Sequence, residues 1–215
     1  GAQVMQLRSV ELAKQYGVEF EVLSSLAPLP DEGGEERGTK VVAHLSPSNP
    51  RIVSGVAVDS KVAHITLVGL PDRPGVAYRA FKALGDAKIN LDMIVQSVGT
   101  ANGNGPTADI SFTCARDDLD LALEVCNGLL PEFPGARVVY DTDVAKVSIV
   151  GSGVASNYGV AATMFEALAE KGINIELITG SEIKISCLVR ASQAVEAVRA
   201  VHDKFQLGKL APVVQ

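Results

Sequence analysis

Nowhere does the sequence contain the run of about 20 apolar residues that a membrane-spanning helix needs. The longest apolar stretches, Val144 to Val150 and Ile173 to Ile178, are broken by Lys146, Ser148, Asn174 and Glu176. Gly1-Ala2-Gln3-Val4-Met5 lacks the basic region and apolar stretch of a secretory signal, so a cytoplasmic location is expected. Cysteine is scarce. Cys114, Cys126 and Cys187 are odd in number and widely spaced, which argues against a disulfide framework or a zinc site and suits buried, inert thiols in a reducing compartment. Basic charge is short too: 19 Lys and Arg against 25 Asp and Glu give a net charge of −6, with no basic stripe for nucleic acid. His44, His64 and His202 are scattered without ligands at metal-binding spacing, so no metal centre is expected. What remains is ordinary. Hydrophobic residues at 47% and charged residues at 20% suffice for one or two buried cores.

The chain repeats itself. VAHITLVG (Val62 to Gly69) and VAKVSIVG (Val144 to Gly151) both alternate apolar with polar residues and end on glycine, the pattern of half-buried strands. After a loop two residues longer in the second copy, Gly75 to Ile94 aligns without a gap on Gly159 to Ile178. Gly75, Val76, Ala77, Phe81, Ala83, Leu84, Ile89, Asn90 and Ile94 each meet an identical residue, which chance does not produce in one register. Farther on, Asp109 to Cys114 matches Glu182 to Cys187.

Ala77, Phe81 and Leu84, like Ala161, Phe165 and Leu168, recur at the i, i+4, i+7 spacing of one helix face. Strands are expected over Ile89 to Val98, Asp109 to Cys114 and Arg137 to Tyr140, with a helix from about Asp117 to Leu130. In the second copy the strands are Ile173 to Ile178 and Glu182 to Val189, and the helix runs from about Ser192 to Phe205. The order defines an α+β fold of two ferredoxin-like βαββαβ domains, 51–140 and 141–215, each an antiparallel sheet with its helices on one face. Such small units need extra burial and covered edges, so sheets joined side by side and dimerisation are expected. The second copy lacks an obvious last strand; Lys209 to Gln215 and the alternating segment Arg51 to Val58 both qualify. Upstream, Val4 to Tyr16 reads as a helix and Phe20 to Ser24 as a strand, while Pro28 to Arg37 has linker composition.

GLPDRPGVA (Gly69 to Ala77), INLDMIVQ (Ile89 to Gln96) and INIELITGSEIKIS (Ile173 to Ser186) resemble the tandem ACT domains of the aspartate kinase regulatory region. Gly1 to Ser25, with Gly38-Thr39 before a strand, resembles the end of that family's kinase domain, so 1–40 is expected to be a kinase remnant and linker. The resemblance implies feedback inhibition of the aspartate pathway, which leads to lysine, threonine and methionine, by threonine, with lysine as a second candidate effector. It also implies a homodimer through the ACT domains and a kinase-bearing large subunit as partner. The KxGG-type segment that opens the family's nucleotide site does not occur, nor does a Walker-type GxxxxGK[ST]. The chain is therefore expected to be inactive alone and to hold no cofactor, ATP and magnesium being used by the kinase domain. A natural small subunit and an excised fragment both fit.

A free amino acid needs acceptors for its ammonium and donors for its carboxylate. A helix starting near Pro74 would present the amides of Gly75, Val76 and Ala77 to a carboxylate. Asp72 is placed to accept from the ammonium, and Gln96 to bond a side-chain hydroxyl. Asp72-Arg73-Pro74-Gly75 also reads as a simple turn and helix cap. The second copy has Ser156-Asn157-Tyr158-Gly159 there, without the carboxylate or the proline. It is expected to contribute Asn174, Ile175 and Ser181 to a composite site. The glycine-rich segment Gly99 to Gly105 joins two strands and reads as a hairpin loop rather than a phosphate cradle. A structural dimerisation module, or an enzyme built on the same scaffold, are the other classes this pattern allows.

Overall fold

The computed structural model describes residues 5–23, 25, 38–42, 52–99 and 105–208. The linker segment Pro28 to Arg37, the candidate strand Lys209 to Gln215 and most of the glycine-rich loop lie outside the described residues. Two compact units divide the chain, Gly1–Pro50 with Ala211–Gln215 and Arg51–Leu210. In the first, helix α1 (Leu7–Tyr16) ends on Gly17 at φ 64, the left-handed stop that glycine accepts without strain. Strand β1 (Phe20–Val22) pairs antiparallel with β2 (Thr39–Val41).

The larger unit holds the repeat. Its elements are β3 (Gly55–Asp59), β4 (Val62–Pro71), α2 (Val76–Asp86), β5 (Leu91–Val98), β6 (Thr107–Ala115), α3 (Leu119–Leu129) and β7 (Arg137–Asp141). They are followed by β8 (Val144–Val150), α4 (Val160–Glu170), β9 (Leu177–Gly180), β10 (Lys184–Arg190) and α5 (Ala194–Lys204). Two antiparallel four-stranded sheets result, ordered β5-β6-β4-β7 and β3-β8-β10-β9. Each is the split-βαβ arrangement, and the strand that completes the second sheet is β3, which precedes the whole first copy in sequence.

The alternation read in the sequence decides which face is covered. Ala63, Ile65 and Leu67 of β4, with Ile110, Phe112 and Cys114 of β6, meet Val76, Ala80 and Leu84 of α2 and Ala122 and Cys126 of α3 in one core. Phe81 meets Phe112 edge to face at 6.2 Å, a favoured aromatic geometry. The second core repeats this with Val147, Ile149, Cys187 and Val189 against α4 and α5. All three cysteines are buried and unbridged. Burial pushes the Cys114 and Cys126 thiols up to about 11 and Cys187 to about 12, so none offers a thiolate near neutral pH.

Three expectations need correcting. Within this chain the sheets are not joined side by side: among the described residues no strand of one pairs with a strand of the other. They meet instead through the faces turned away from the helices, where Val62, Met93, Val144 and Leu188 form a small buried cluster with Leu177 against it. Edge joining would have left these apolar side chains in water. The second-copy strand expected from Ile173 begins only at Leu177, because Ile173 and Ile175 turn into the second core. Finally, strand register makes Asp109, not Ser111 as in the sequence match, the counterpart of Lys184. Leu67 pairs with Ile110 and Ile149 with Ile185, so the earlier match of Asp109 to Glu182 is two residues out. Side chains agree with the register: Thr66 bonds Ser111 at 2.8 Å, as Ser148 bonds Ser186 at 2.8 Å.

Candidate functional site

At the top of the first sheet the chain leaves β4, turns through Asp72 and Arg73, and enters α2. Pairing of β4 with β6 shifts between Leu67 and Leu70, a bulge at which Gly69 takes φ 75. The turn beyond is fixed by the Asp72 amide donating to the Pro106 carbonyl at 3.0 Å and the Arg73 amide to Pro71 at 3.0 Å. Gly75, at φ 93, caps α2, so the helix begins at Val76 rather than near Pro74.

The walls enclose a pocket of ≈ 350 Å³. Five of the residues singled out in the sequence line it together: Asp72, Gly75, Val76, Ala77 and Gln96. Its apolar floor is Leu70, Ala108 and Ile110, with Pro71, Arg73 and Pro74 at the loop. Gln96 reaches it because β5 pairs with β6 at Gln96 and Ile110. One detail differs from expectation: the Val76 amide bonds the Arg73 carbonyl at 3.4 Å, so of the three amides expected to face a carboxylate, Gly75 and Ala77 have no acceptor among the described residues. Asp72 is exposed and its carboxylate makes no ion pair among the described residues, which leaves it available to a cation.

Asn174, Ile175 and Ser181 are not brought to this pocket within the chain. Asn174 is exposed before β9, Ile175 packs on the second core, and the Ser181 amide donates to the Lys184 carbonyl at 2.7 Å in the β9–β10 turn. The second copy's equivalent loop is packed shut. Val154 is buried with Val53 and Val160, the Gly151 amide bonds Ile183, and the Ala155 amide bonds Glu182. Sequence reasoning missed the pocket floor and Asp109, whose Oδ1 accepts from the Gly69 amide at 2.7 Å. Polar residues at strand starts carry no signal that separates such a role from solvent exposure.

Charged groups link the two sheets. Lys146, whose side chain is 16% exposed, donates to Asp92 at 2.7 Å and lies 3.8 Å from Asp59; Lys184 lies 3.7 Å from Asp92. Arg190 reaches Asp141 at 2.7 Å and Glu176 at 2.5 Å. Burial pushes the Asp92 carboxyl up, but the Lys146 hydrogen bond, the Met93 amide and the two lysine charges outweigh it and hold it below the usual range. Burial holds the His64 imidazole below its usual value against the opposing pull of Glu176 and Asp141. Both shifts make acid destabilising. The unfolded chain protonates His64 more readily as pH falls through about 6.5, and Asp92 as it falls through about 4. Chemical denaturation across pH should therefore show stability lost in two steps, with His64→Gln removing the first and Asp92→Asn shrinking the second. At neutral pH Asp92→Asn should cost about 1 kcal/mol, the partial exposure of the carboxylate keeping the loss small.

Among the described residues no group of three or more His, Cys, Asp or Glu is placed to hold a metal ion, and no helix is long and apolar enough to cross a membrane. The sequence profile of the ACT domain matches residues 65–129 and 147–205. The aspartokinase of Mycolicibacterium smegmatis is 43% identical over 210 residues, 97% of this chain and 48% of that protein. The ligand-free regulatory subunit of aspartate kinase from Thermus thermophilus is similar in structure, with TM-score 0.67 and 43% identity over 72% of this chain and 99% of that one. A crystal structure of aspartokinase alpha and beta subunits matches with TM-score 0.65 and 44% identity, covering 72% of this chain and 99% of that one.

Two sheets of this topology and two profile matches in one chain make it a member of the ACT-domain family, carrying the domain in tandem. More narrowly, it corresponds to the regulatory ACT-domain part of an aspartate kinase, and it spans about half the length of the curated aspartokinases it matches.

Proposed function

We propose that the chain senses threonine for an aspartate kinase and conveys feedback inhibition, with lysine as a second effector. The observation that carries this is the first-copy pocket. A carboxylate acceptor (Asp72), two free amide donors at a helix start (Gly75, Ala77) and an amide side chain (Gln96) converge on an apolar floor, at a size in the range of small-molecule sites. The three groups match the ammonium, carboxylate and hydroxyl of threonine in kind. Because Asn174, Ile175 and Ser181 do not reach the pocket within one chain, in this reading a second chain supplies them, which ties the site to a homodimer.

The same reading takes the unit containing α1, β1 and β2 as the end of a kinase domain, and the catalytic partner as a kinase-bearing subunit in the cytoplasm. The likeness to the regulatory subunit of aspartate kinase from Thermus thermophilus supports that division of labour. Effector binding would shift the partner between active and inactive arrangements, with a coupling of about 1–3 kcal/mol sufficing for control. A thermal-shift screen of the common amino acids tests the proposal. Threonine at about 100 times its dissociation constant should stabilise the chain by about 2.7 kcal/mol. If no amino acid raises the melting temperature, the chain is a dimerisation module and the sensor reading fails.

A further inference from the structure

We propose that Asp109 is the positioning residue of the effector pocket: by taking up the Gly69 amide, its carboxylate holds open the bulge that carries Leu70 to Gly75 away from the sheet. The proposal rests on the pocket's being an amino-acid site, and it assigns the part of the fold that creates it.

Pairing between β4 and β6 is regular from Val62↔Ala115 to Leu67↔Ile110 and resumes at Leu70↔Ala108. Val68 and Gly69 therefore stand together against Asp109 alone. An extra residue in a strand leaves an amide out of the ladder, and a buried or half-buried amide must find another acceptor. Asp109 Oδ1 is that acceptor, at 2.7 Å. Side chains alternate across a strand. Ala108 and Ile110 thus face the pocket while Asp109 faces the opposite side, so its carboxylate shapes the site without lining it.

The second copy serves as an internal control. There the register continues unbroken through Val150↔Lys184, and the Gly151 amide runs on to the Ile183 carbonyl at 2.9 Å. Lysine occupies the position of Asp109, and an ammonium cannot accept a hydrogen bond. With no side-chain acceptor there is no bulge, and the following loop packs down with Val154 buried. Where the carboxylate is present the chain leaves the ladder and a cavity opens.

The experiment compares Asp109→Ala, Asp109→Ser and Asp109→Asn in the full chain, measuring threonine affinity by calorimetry and Gly69 amide exchange by NMR. Asparagine keeps an acceptor oxygen at the same reach; alanine has none and serine falls short. Losing the ordering bond should raise the threonine dissociation constant about tenfold or more in the Ala and Ser variants, while Asn stays within about threefold of the parent. In ligand-free protein the Gly69 amide should be protected in the parent and the Asn variant and exchange freely in the other two. Unchanged threonine affinity in both truncated variants overturns the proposal, as does an Asn variant as weak as Ala, which would mean the charge touches ligand. If the parent binds no amino acid, the effector reading fails separately. Gly69 exchange then still decides, with continued protection in Asp109→Ala refuting the role of the carboxylate.

Discussion

Replacing Asp72 by alanine should abolish the threonine response while leaving the fold unchanged. Asp72 is exposed on the loop, and its backbone amide, which keeps the turn by bonding Pro106 at 3.0 Å, is untouched by the substitution. A surface change away from core and caps costs within about 0.5 kcal/mol of stability. Binding is another matter, because a hydrogen bond between two charged groups contributes roughly 1.5–3 kcal/mol, or about ten- to a hundredfold in affinity. Asp72→Asn, which keeps an acceptor and loses the charge, should fall between the two. Calorimetric titration with threonine checks both variants. An Asp72→Ala chain that binds as the parent does would remove the ammonium partner from the account.

The largest stability effect should come from Gly151→Ala. A Cβ there would lie 2.1 Å from the Ile52 carbonyl oxygen and 2.8 Å from the Val53 Cα, backbone atoms that cannot swing aside as a side chain could. Relief requires moving the segment that leads into β3, which completes the second sheet and buries Val53 in its core. Overpacking that forces backbone shifts costs typically about 1–3 kcal/mol, and a clash with fixed backbone atoms puts Gly151→Ala at the upper end, about 3 kcal/mol. The aligned position in the first copy provides the comparison. At Gly69 the nearest atom to a new Cβ is the Gly135 carbonyl oxygen at 3.5 Å, so Gly69→Ala meets no clash and only the strain of φ 75. That strain costs about 1–2 kcal/mol. Urea denaturation of the two variants should rank Gly151→Ala as clearly the more damaging; the reverse order would mean that β3 is not held as described.

Much of the first copy was legible in the sequence because its information is periodic. Alternation in VAHITLVG gave both the strand and its buried face, and the i, i+4, i+7 spacing of Ala77, Phe81 and Leu84 located α2, although the most buried line is Val76, Ala80 and Leu84. The five pocket residues were found because a loop, a helix start and the end of the next strand are neighbours in this topology. Single-residue events were not legible. Met93 adopts φ 49 at the β5 bulge, and nothing in LDMIVQ marks it, since the cross-strand register of Asp92 and Val95 imposes it. The Asp109–Gly69 bond joins residues 40 apart in sequence, beyond any local pattern. Nor did sequence show how the sheets meet: Val62, Val144 and Leu188 read as ordinary strand residues until the open faces are seen to cover them. The match of Asp109 to Glu182 failed because shared Ile and Cys letters outweighed a register that only pairing reveals.

On the proposed reading, the first copy's loop and helix start, and not the second's, receive the effector. An amide-resolved NMR titration with threonine tests it most directly. The amides of Asp72, Gly75 and Ala77 and the Gln96 side-chain amide should shift with one saturating curve, while the Ser152 to Gly159 loop stays still. Saturable shifts centred on Ser152 to Gly159, with Asp72 to Ala77 unmoved, would contradict it.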